Sequence, residues 1–415
     1  MSLLTRIAVV GLMISGLYAC ATVPTSEVVD DLKANASLTQ FYQQRSATTL
    51  SQYWSPSFLG NIAEYYRTTT PEIHFADQTV YLGFYTAWQS LAALNDPSAA
   101  SLTNLNAAIT HLLDHLVIVT QVDGSPNTGY FMRDDMSSSQ VNLDGVQYSV
   151  SSDDLSGTDD EQSQDQIIHI LFGYRIAAQV LPRVPGTAAA QLLAKIVAHA
   201  HDIGLRLKAN NYMVLTPTGE PVARGNDARP LAWPIAAAIS NITGKPLDTY
   251  LDGVDVPLSS KNKTLHFSNE DLHALYGTAL KLITAGLCDL KYGDNHEDLC
   301  PRFTLALINS LYVSSGSYAE NPAYIQRMDK DGDYIYAAAA HALRHDSRVP
   351  KAYYQQLTSA LDAAFTNVTA PELWCQDNRW VRMPASCPSG TTLTTSYNAL
   401  DFLSYYQVML NLEQL

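Results

Sequence analysis

The chain has 415 residues, and its 40 acidic and 25 basic side chains give a formal net charge of −15. Such an acidic excess repels nucleic acid and anionic membrane surfaces, so we exclude both as binding partners of the folded chain. A chain of this length exceeds a typical single domain, but large helical folds reach this size as one unit.

The first nineteen residues have the pattern of a secretion signal. Arg6 precedes an apolar run from Ile7 to Ala19 that is too short to span a bilayer. The run ends in Leu17-Tyr18-Ala19-Cys20, which resembles the bacterial lipobox, and that resemblance implies a lipidated Cys20 at an outer-membrane address. An ordinary secretion signal is the alternative. We predict a signal peptide over 1–19 and a lipidated tether over 20–36.

Helix is the dominant prediction for residues 37–415, because apolar residues recur at spacings of three and four. The predicted helices are 37–52, 57–68, 77–95, 101–121, 163–182, 187–210, 230–243, 269–289, 301–314, 333–346, 350–366 and 395–413. We see no strong βαβ alternation. We also see no consistent period of 34 to 45 residues, which disfavours a superhelical repeat array. We therefore predict an all-α fold, an (α/α)6 toroid of about twelve helices that forms one domain.

Two segments depart from the helical pattern. Residues 212–225 alternate around a Pro-Thr-Gly turn and predict a small β-hairpin. Residues 122–162 form a long loop rich in Asp, Ser and Gly between two strong helices. Loops of that length inside a compact domain are usually functional or disordered, and we expect this one to be functional.

Carboxylates and an imidazole gather at the end of the long loop. Asp134 and Asp160 lie in the loop, while Asp165 and His169 start the next helix and share a face at a spacing of four. Glycoside hydrolysis needs one carboxyl as acid and another as base or nucleophile. We predict Asp165 as acid or base, Asp160 or Asp134 as its partner, and His169 as an orienting group. Alternatively, Asp165 is a helix-start charge and residues 153–161 are a solvated acidic loop.

Aromatic side chains near predicted helix ends are typical of sugar-binding clefts, because their faces stack on sugar rings. The chain has 24 tyrosines and 5 tryptophans, most of which core packing can explain. The candidate substrate-binding residues are Tyr130, Arg133, Gln166, Trp233, Tyr397, Asn398 and Asp401.

Four further cysteines form two local pairs, each twelve positions apart, Cys288 with Cys300 and Cys375 with Cys387. Such pairs suit disulfides in an oxidising compartment. Zinc is the alternative, which we set aside because we identify no CxxC or HxxxH spacing.

The segment Asp329–Asp333 lacks the Gly and Glu of an EF-hand loop and fits a turn before a helix, although another type of calcium site stays open. We predict no metal ligands and no cofactor.

Three segments resemble inner-cavity elements of secreted bacterial (α/α)6-toroid proteins. They are Gly129-Tyr-Phe-Met-Arg-Asp-Asp135, Gln162-Ser-Gln-Asp-Gln-Ile167 with Leu171-Phe-Gly-Tyr174, and Ser396-Tyr-Asn-Ala-Leu-Asp401. Many members of that group are glycoside hydrolases or polysaccharide lyases, so the resemblance implies a carbohydrate-active enzyme. No lyase-type Asn–His–Tyr–Arg set occurs in recognisable order.

The leading hypothesis is a glycoside hydrolase of the cell envelope that acts on an oligosaccharide or polysaccharide. The motifs GxGxxG, Walker A, HExxH and GxSxG are missing, which disfavours the nucleotide-binding, zincin and α/β-hydrolase classes. The alternative is a non-catalytic lipoprotein that binds a glycan or a protein partner and attaches to the membrane through its lipid alone.

Overall fold

The structure is a computed structural model, and it describes residues between 36 and 255 together with the last helix. The described residues are 36–54, 58, 60–67, 71–75, 77–96, 99–117, 129–136, 140–143, 145–150, 162–223, 225–229, 232–255 and 395–411. At Trp233, Tyr397 and Asp401 the backbone alone is described.

Several predicted features lie outside these residues. They are the signal peptide, Cys20, Asp160, the segment Asp329–Asp333, the four cysteines 288, 300, 375 and 387, and the predicted helices 269–289, 301–314, 333–346 and 350–366. Within the described part of the chain, no helix is both long enough and apolar enough to cross a membrane.

Eight α-helices occur in the described part of the chain. They are α1 (Ala36–Thr48), α2 (Gln78–Asn95), α3 (Ala99–His111), α4 (Gln164–Val180), α5 (Thr187–Ala209), α6 (Ala232–Thr243), α7 (Asp248–Leu251) and α8 (Leu400–Leu410). Helices α1 and α3 each continue into one wide π turn, Thr49–Tyr53 and Leu112–Leu116, and α4 ends in a 3₁₀ turn, Leu181–Arg183. The chain is therefore helix-rich, as predicted.

A five-stranded mixed sheet accompanies the helices. Its strands are β1 (Tyr65–Arg67), β2 (Glu72–His74), β3 (Gln140–Leu143), β4 (Val146–Val150) and β5 (Thr395–Tyr397), in the order β3-β4-β2-β1-β5. Strands β2 and β4 are parallel, and the other neighbours are antiparallel. Because β5 pairs with β1, the C-terminal segment joins the N-terminal one immediately before α8.

Helix α2 is the centre of the main core. It contains no charged residue, and fifteen of its residues are buried. A helix that is apolar on all sides is stable only when other elements surround it. Helices α3, α4 and α8 all pack on α2. A smaller apolar cluster beside the sheet contains Tyr53, Phe58, Ala63, Tyr66, Ile73, Phe75, Met136, Val141 and Val150.

Two glycines allow α2 and α4 to touch backbone to backbone. A Cβ at Gly83 would lie 2.0 Å from the carbonyl oxygen of His169, and a Cβ at Gly173 would lie 2.3 Å from that of Gly83. Gly83 and His169 each lie six residues after the N-cap of their helix, Asp77 and Ser163. The two helices therefore run side by side in the same direction, with their N-termini level.

The predicted helices 37–52, 77–95, 163–182, 187–210 and 230–243 are confirmed to within about two residues. The predicted hairpin at 212–225 is present as antiparallel bridges, Leu215 with Pro221 and Met213 with Asp227. The toroid of twelve helices stays a prediction, because four of those helices lie outside the described residues.

Four predictions of local structure were wrong. Residues 65–67 are a strand and not part of a helix 57–68, and residues 395–397 are the strand that pairs with it. The helix predicted to reach 121 ends at Leu116, since Val117 forms a bridge with Phe131. The long loop 122–162 contains β3 and β4. The all-α class is therefore too narrow: three-residue strands are too short to show a period of two.

Replacing Gly83 with Ala should strongly destabilise the protein, because the new methyl group meets backbone atoms that cannot turn away. We expect Gly83→Ala to lower the free energy of unfolding by about 3 kcal/mol in urea titrations. Gly204→Ala is the matched control, since its Cβ would meet side-chain atoms of Tyr250 at 2.6 Å. Its cost should be smaller, about 1 kcal/mol, because helix propensity offsets part of it. Equal losses of unfolding free energy in the two variants would contradict a direct backbone contact at Gly83.

The buried His199 should make stability depend on pH. Burial lowers the pKa of His199 to about 3, while an unfolded histidine titrates near pH 6.5. Between these values only the unfolded state takes up the proton, so stability is complete above pH 6.5 and falls by about 1.4 kcal/mol per pH unit below it. The variant His199→Gln should lose this slope in urea titrations from pH 6.5 to 4, whereas the partly exposed control His201→Gln should keep most of it.

Candidate active site

The N-termini of α2 and α4 share one arginine. Nη1 of Arg133 lies 3.7 Å from Oδ1 of Asp77, the N-cap of α2. Nη2 of the same side chain donates to Oγ of Ser163, the N-cap of α4, at 3.4 Å. The first backbone N–H groups of a helix have no partner inside it and carry partial positive charge. This place therefore combines hydrogen-bond donors, positive potential and a guanidinium group.

Ser163 extends the connection to a second carboxylate. Its Oγ donates to Oδ1 of Asp165 in the first turn of α4. A continuous chain of polar contacts thus runs from Asp77 through Arg133 and Ser163 to Asp165. Asp77 is 3% exposed, while Asp165 is half-buried. The two carboxylates therefore occupy different environments at the ends of one connected group.

Three buried side chains at these helix ends have no hydrogen-bond partner among the described residues. They are Gln78 and Thr79 at the start of α2 and Gln166 at the start of α4. All three are at most 1% exposed. A buried amide without a partner costs about 1–3 kcal/mol, and natural structures keep few such groups. The polar atoms of these side chains are therefore buried without a partner within the described residues.

The segment that carries Arg133 is fixed from the other side by α5. A Cβ at Gly129 would lie 2.4 Å from the carbonyl oxygen of Asp202, so the backbone touches α5 directly. The hydroxyl oxygen of Tyr130 accepts the backbone N–H of Gln162 at 3.3 Å, and the guanidinium of Arg206 lies 5.1 Å from the centre of its ring. Arg133 is thus presented to the two helix ends by a rigid segment.

Six of the eleven predicted site residues lie either on the segment 130–134 or in the first two turns of α4. Arg133, Asp165 and Gln166 lie at the two helix ends, and Tyr130 supports them. His169 is buried one turn further along α4, with Nδ1 2.6 Å from the backbone carbonyl oxygen of Asp165. Asp134 is 3% exposed, and its Oδ1 accepts the backbone N–H of Met136 at 2.8 Å.

Other predicted residues lie in different elements. Asn398 makes its contacts beside β1, where its Nδ2 donates to the carbonyl oxygen of Ala63 at 2.9 Å and its Oδ1 accepts the N–H of Leu400 at 3.0 Å. Both ends of its amide therefore bind backbone. The backbones of Trp233, Tyr397 and Asp401 belong to α6, β5 and α8.

Sequence reasoning missed Asp77, Gln78 and Thr79. A signal was present, because Asp77 directly precedes the longest uncharged helical stretch and Asp is a preferred N-cap. The start of α2 has the same form as the start of α4, a capping residue followed by buried Gln and apolar residues. Comparing the two helix starts would have revealed the second half of the site.

A separate group of two histidines and one aspartate, residue types that bind metal ions in many proteins, lies beside the end of α3. His111, His115 and Asp135 each offer one ligand atom, and the three atoms lie within 4.8 Å of one another. Burial raises the pKa of Asp135, but the nearby imidazoles of His111 and His115 and the hydrogen bond from Asn61 outweigh it, so this pKa lies below its ordinary value. The statement that the sequence has no HxxxH spacing was wrong, because His111-Leu-Leu-Asp-His115 has it. His341-Ala-Leu-Arg-His345 has it too, outside the described residues.

No protein-family model, curated protein sequence or solved structure matches this chain. The resemblance to secreted toroid proteins therefore depends on three short segments alone. The geometry of the helix ends is the better guide to function.

Removing the guanidinium from Arg133 should destabilise the fold, because it takes away the cation beside the buried carboxylate of Asp77. We expect Arg133→Gln to cost about 3 kcal/mol in urea titrations. Adding Asp77→Asn to that variant should restore at least half of the loss. Arg229→Gln is the control, since its ion pair with Asp227 is exposed and should be worth less than about 1 kcal/mol. If Arg133→Gln lowers the free energy of unfolding no more than Arg229→Gln does, the contact between Arg133 and Asp77 does not stabilise the fold.

Proposed function

We propose that the chain is a carbohydrate-active enzyme, a glycoside hydrolase whose active site lies at the N-termini of α2 and α4. The observation that carries this proposal is the connected group Asp77, Arg133, Ser163 and Asp165, together with buried glutamines that lack partners. Hydrolysis of a glycosidic bond needs two carboxyl groups with different roles. A group that joins two carboxylates in different environments supplies such a pair.

The unpaired side chains favour a sugar as ligand. A sugar hydroxyl both donates and accepts hydrogen bonds, and the amides of Gln78 and Gln166 also offer both functions. Hydroxyl groups bound there would satisfy atoms that have no partner within the described protein. Arg133 adds a cation at the same place, which would orient a substrate oxygen or a sugar carboxylate. A purely apolar ligand would leave these buried polar groups unsatisfied.

Asp165 is the residue we assign to acid–base chemistry. It is half-buried, so it is open to both substrate and water, and Ser163 fixes its orientation. Asp77 is the second carboxylate that geometry favours, and Asp134 lies on the segment that presents Arg133. His169 would hold the first turn of α4 through the carbonyl oxygen of Asp165. Asp160, the other predicted partner, lies outside the described residues.

The contacts between helices support the proposed (α/α)6 toroid. Helix α2 packs on α4 and α4 on α6, although α3 and α5 lie between them in sequence, and α3 packs on α5 in turn. Alternating inner and outer helices are the arrangement of a toroid. Helix α8 packs on α2, which is where the last inner helix of a closed ring would lie. In such a ring the N-termini of parallel inner helices face one cleft, where a glycan would bind.

The proposed location is the bacterial cell envelope, with Cys20 as the lipid anchor at the outer membrane. This part of the proposal depends on the N-terminal sequence pattern alone. The four other cysteines fit the same oxidising compartment as two local disulfides.

The direct test is a screen of neutral and uronate-containing polysaccharides, followed by substitution of Asp165. Hydrolysis releases reducing ends, whereas elimination also produces an ultraviolet-absorbing double bond. With a substrate in hand, Asp165→Asn should lower kcat by at least a thousandfold, because the proton transfer is lost. Its melting temperature should fall only slightly, since a helix-start charge contributes about 1 kcal/mol or less.

Asp248→Asn is the matched control, an exposed carboxylate in the first turn of α7. It should keep full activity. If Asp165→Asn loses stability and keeps its activity, Asp165 is a helix-start charge and the proposed role is wrong. Glycan binding without bond cleavage would favour the alternative, a non-catalytic envelope lipoprotein.

A further inference from the structure

Two histidines at the end of α3 lie close to Asp135. His111 is the last residue of α3, and His115 lies in the π turn Leu112–Leu116 that follows. Their rings are stacked, with centroids 4.9 Å apart. Nε2 of His111 lies 3.4 Å from Oδ1 of Asp135. Two ligands of a tetrahedral zinc ion are separated by about 3.4 Å when each bond is about 2.1 Å, so this pair is already spaced for coordination.

Several buried polar atoms at this place have no hydrogen-bond partner among the described residues. His111 is 5% exposed, and neither of its ring nitrogens has a hydrogen bond of good geometry within the described residues. Oδ1 of Asn61 is also buried without a partner, while its Nδ2 donates to Oδ1 of Asp135 at 2.5 Å. Burying an imidazole and an amide oxygen in this way is unfavourable. A cation would use the imidazole nitrogen and the carboxylate at once.

The backbone makes room for the His111 ring. Gly60 has a φ of +103°, and a Cβ there would lie 2.7 Å from Cγ and 2.9 Å from Nδ1 of His111. Only glycine combines this φ with so close an approach. Asn61, the next residue, then fixes the carboxylate of Asp135 by its hydrogen bond, which is how outer residues orient metal ligands. The ring and the carboxylate are therefore both held in place.

We propose that His111, His115 and Asp135 bind a divalent transition-metal ion of the zinc class. Two imidazole nitrogens and one carboxylate oxygen suit zinc, cobalt or ferrous iron, whereas calcium and magnesium prefer oxygen ligands alone. His115 is exposed, so its ring can turn to bring a nitrogen into bonding distance. The side chain of Asp135 is 22% exposed. Two of the three side chains are therefore reachable from solvent, and a water molecule would complete the coordination of the ion.

This site is distinct from the group that contains Arg133, although the two share a segment. Asp135 lies two residues after Arg133, on the same rigid stretch of chain. A metal ion there joins that stretch to the end of α3. Metal binding is measured without any glycan, so failure of this proposal and failure of the proposed enzymatic activity are distinguishable.

The experiment uses the full chain without an affinity tag, stripped of metal with a chelator and titrated with Zn²⁺ by calorimetry. We expect one high-affinity equivalent and a melting temperature that rises with Zn²⁺ but not with Mg²⁺ or Ca²⁺. His115→Ala should weaken Zn²⁺ binding at least a hundredfold, since it removes one of three ligands. The control His201→Ala removes a partly exposed histidine of α5 and should bind Zn²⁺ like the parent chain.

Co²⁺ reports which side chains bind the ion. Tetrahedral coordination by His111, His115 and Asp135 should give visible absorption without a thiolate charge-transfer band, and His115→Ala should abolish it. Asp135→Asn should weaken binding at least tenfold. The proposal is overturned if the parent chain binds no Zn²⁺, if His115→Ala binds as tightly as the parent, or if a thiolate band shows that cysteines hold the metal.

Discussion

The backbone contact between α2 and α4 is the constraint from which the candidate active site follows. Gly83 and Gly173 let the two helices approach until main chain meets main chain. Because the contact lies at the same height in both helices, their N-termini end up level. Two parallel N-termini side by side concentrate partial positive charge, which favours carboxylates there. Asp77 and Asp165 supply these carboxylates. Their negative charge offsets the positive potential of the helix ends, which would otherwise repel the guanidinium of Arg133.

Buried polar atoms without a partner within the described residues are concentrated at the starts of the two helices. Many buried polar side chains elsewhere bind one another or the backbone, as Asn398 does beside β1 and as Tyr174 does with Nδ1 of His199 at 2.8 Å. Buried atoms without a partner among the described residues also occur at Tyr85, His111 and Ser404. At the starts of α2 and α4, Gln78, Thr79 and Gln166 have no such partners in the described part of the chain. Proteins keep groups that violate the rule of satisfied burial mainly where they function. The two helix starts therefore mark one place where binding energy is available.

The sequence predicted long elements well and short ones poorly, for a physical reason. Helices such as 187–210 show many repeats of the apolar period, whereas β1 and β5 have three residues each and are strands only because they pair. The π turn after α3 follows from no local pattern. Half of the candidate site was predictable, because Arg133 and Asp165 lie near one another in sequence. Asp77 was missed because it comes from a helix start 56 positions before Arg133, and only the fold brings the two together.

The short segment between Tyr130 and Met136 links the two sites. It carries Arg133 towards the helix ends and Asp135 towards His111 and Asn61. Three consecutive residues in a segment clamped on α5 cannot move independently. Under both proposals, a metal ion on Asp135 and a glycan beside Arg133 therefore act on one rigid element. Thermodynamic linkage between two binding sites is reciprocal. If the metal ion changes the affinity for the glycan by some factor, the glycan changes the affinity for the metal ion by the same factor. Arg133 and Asp135, two residues apart, thus place the two sites within reach of each other in a fold otherwise dominated by helix packing.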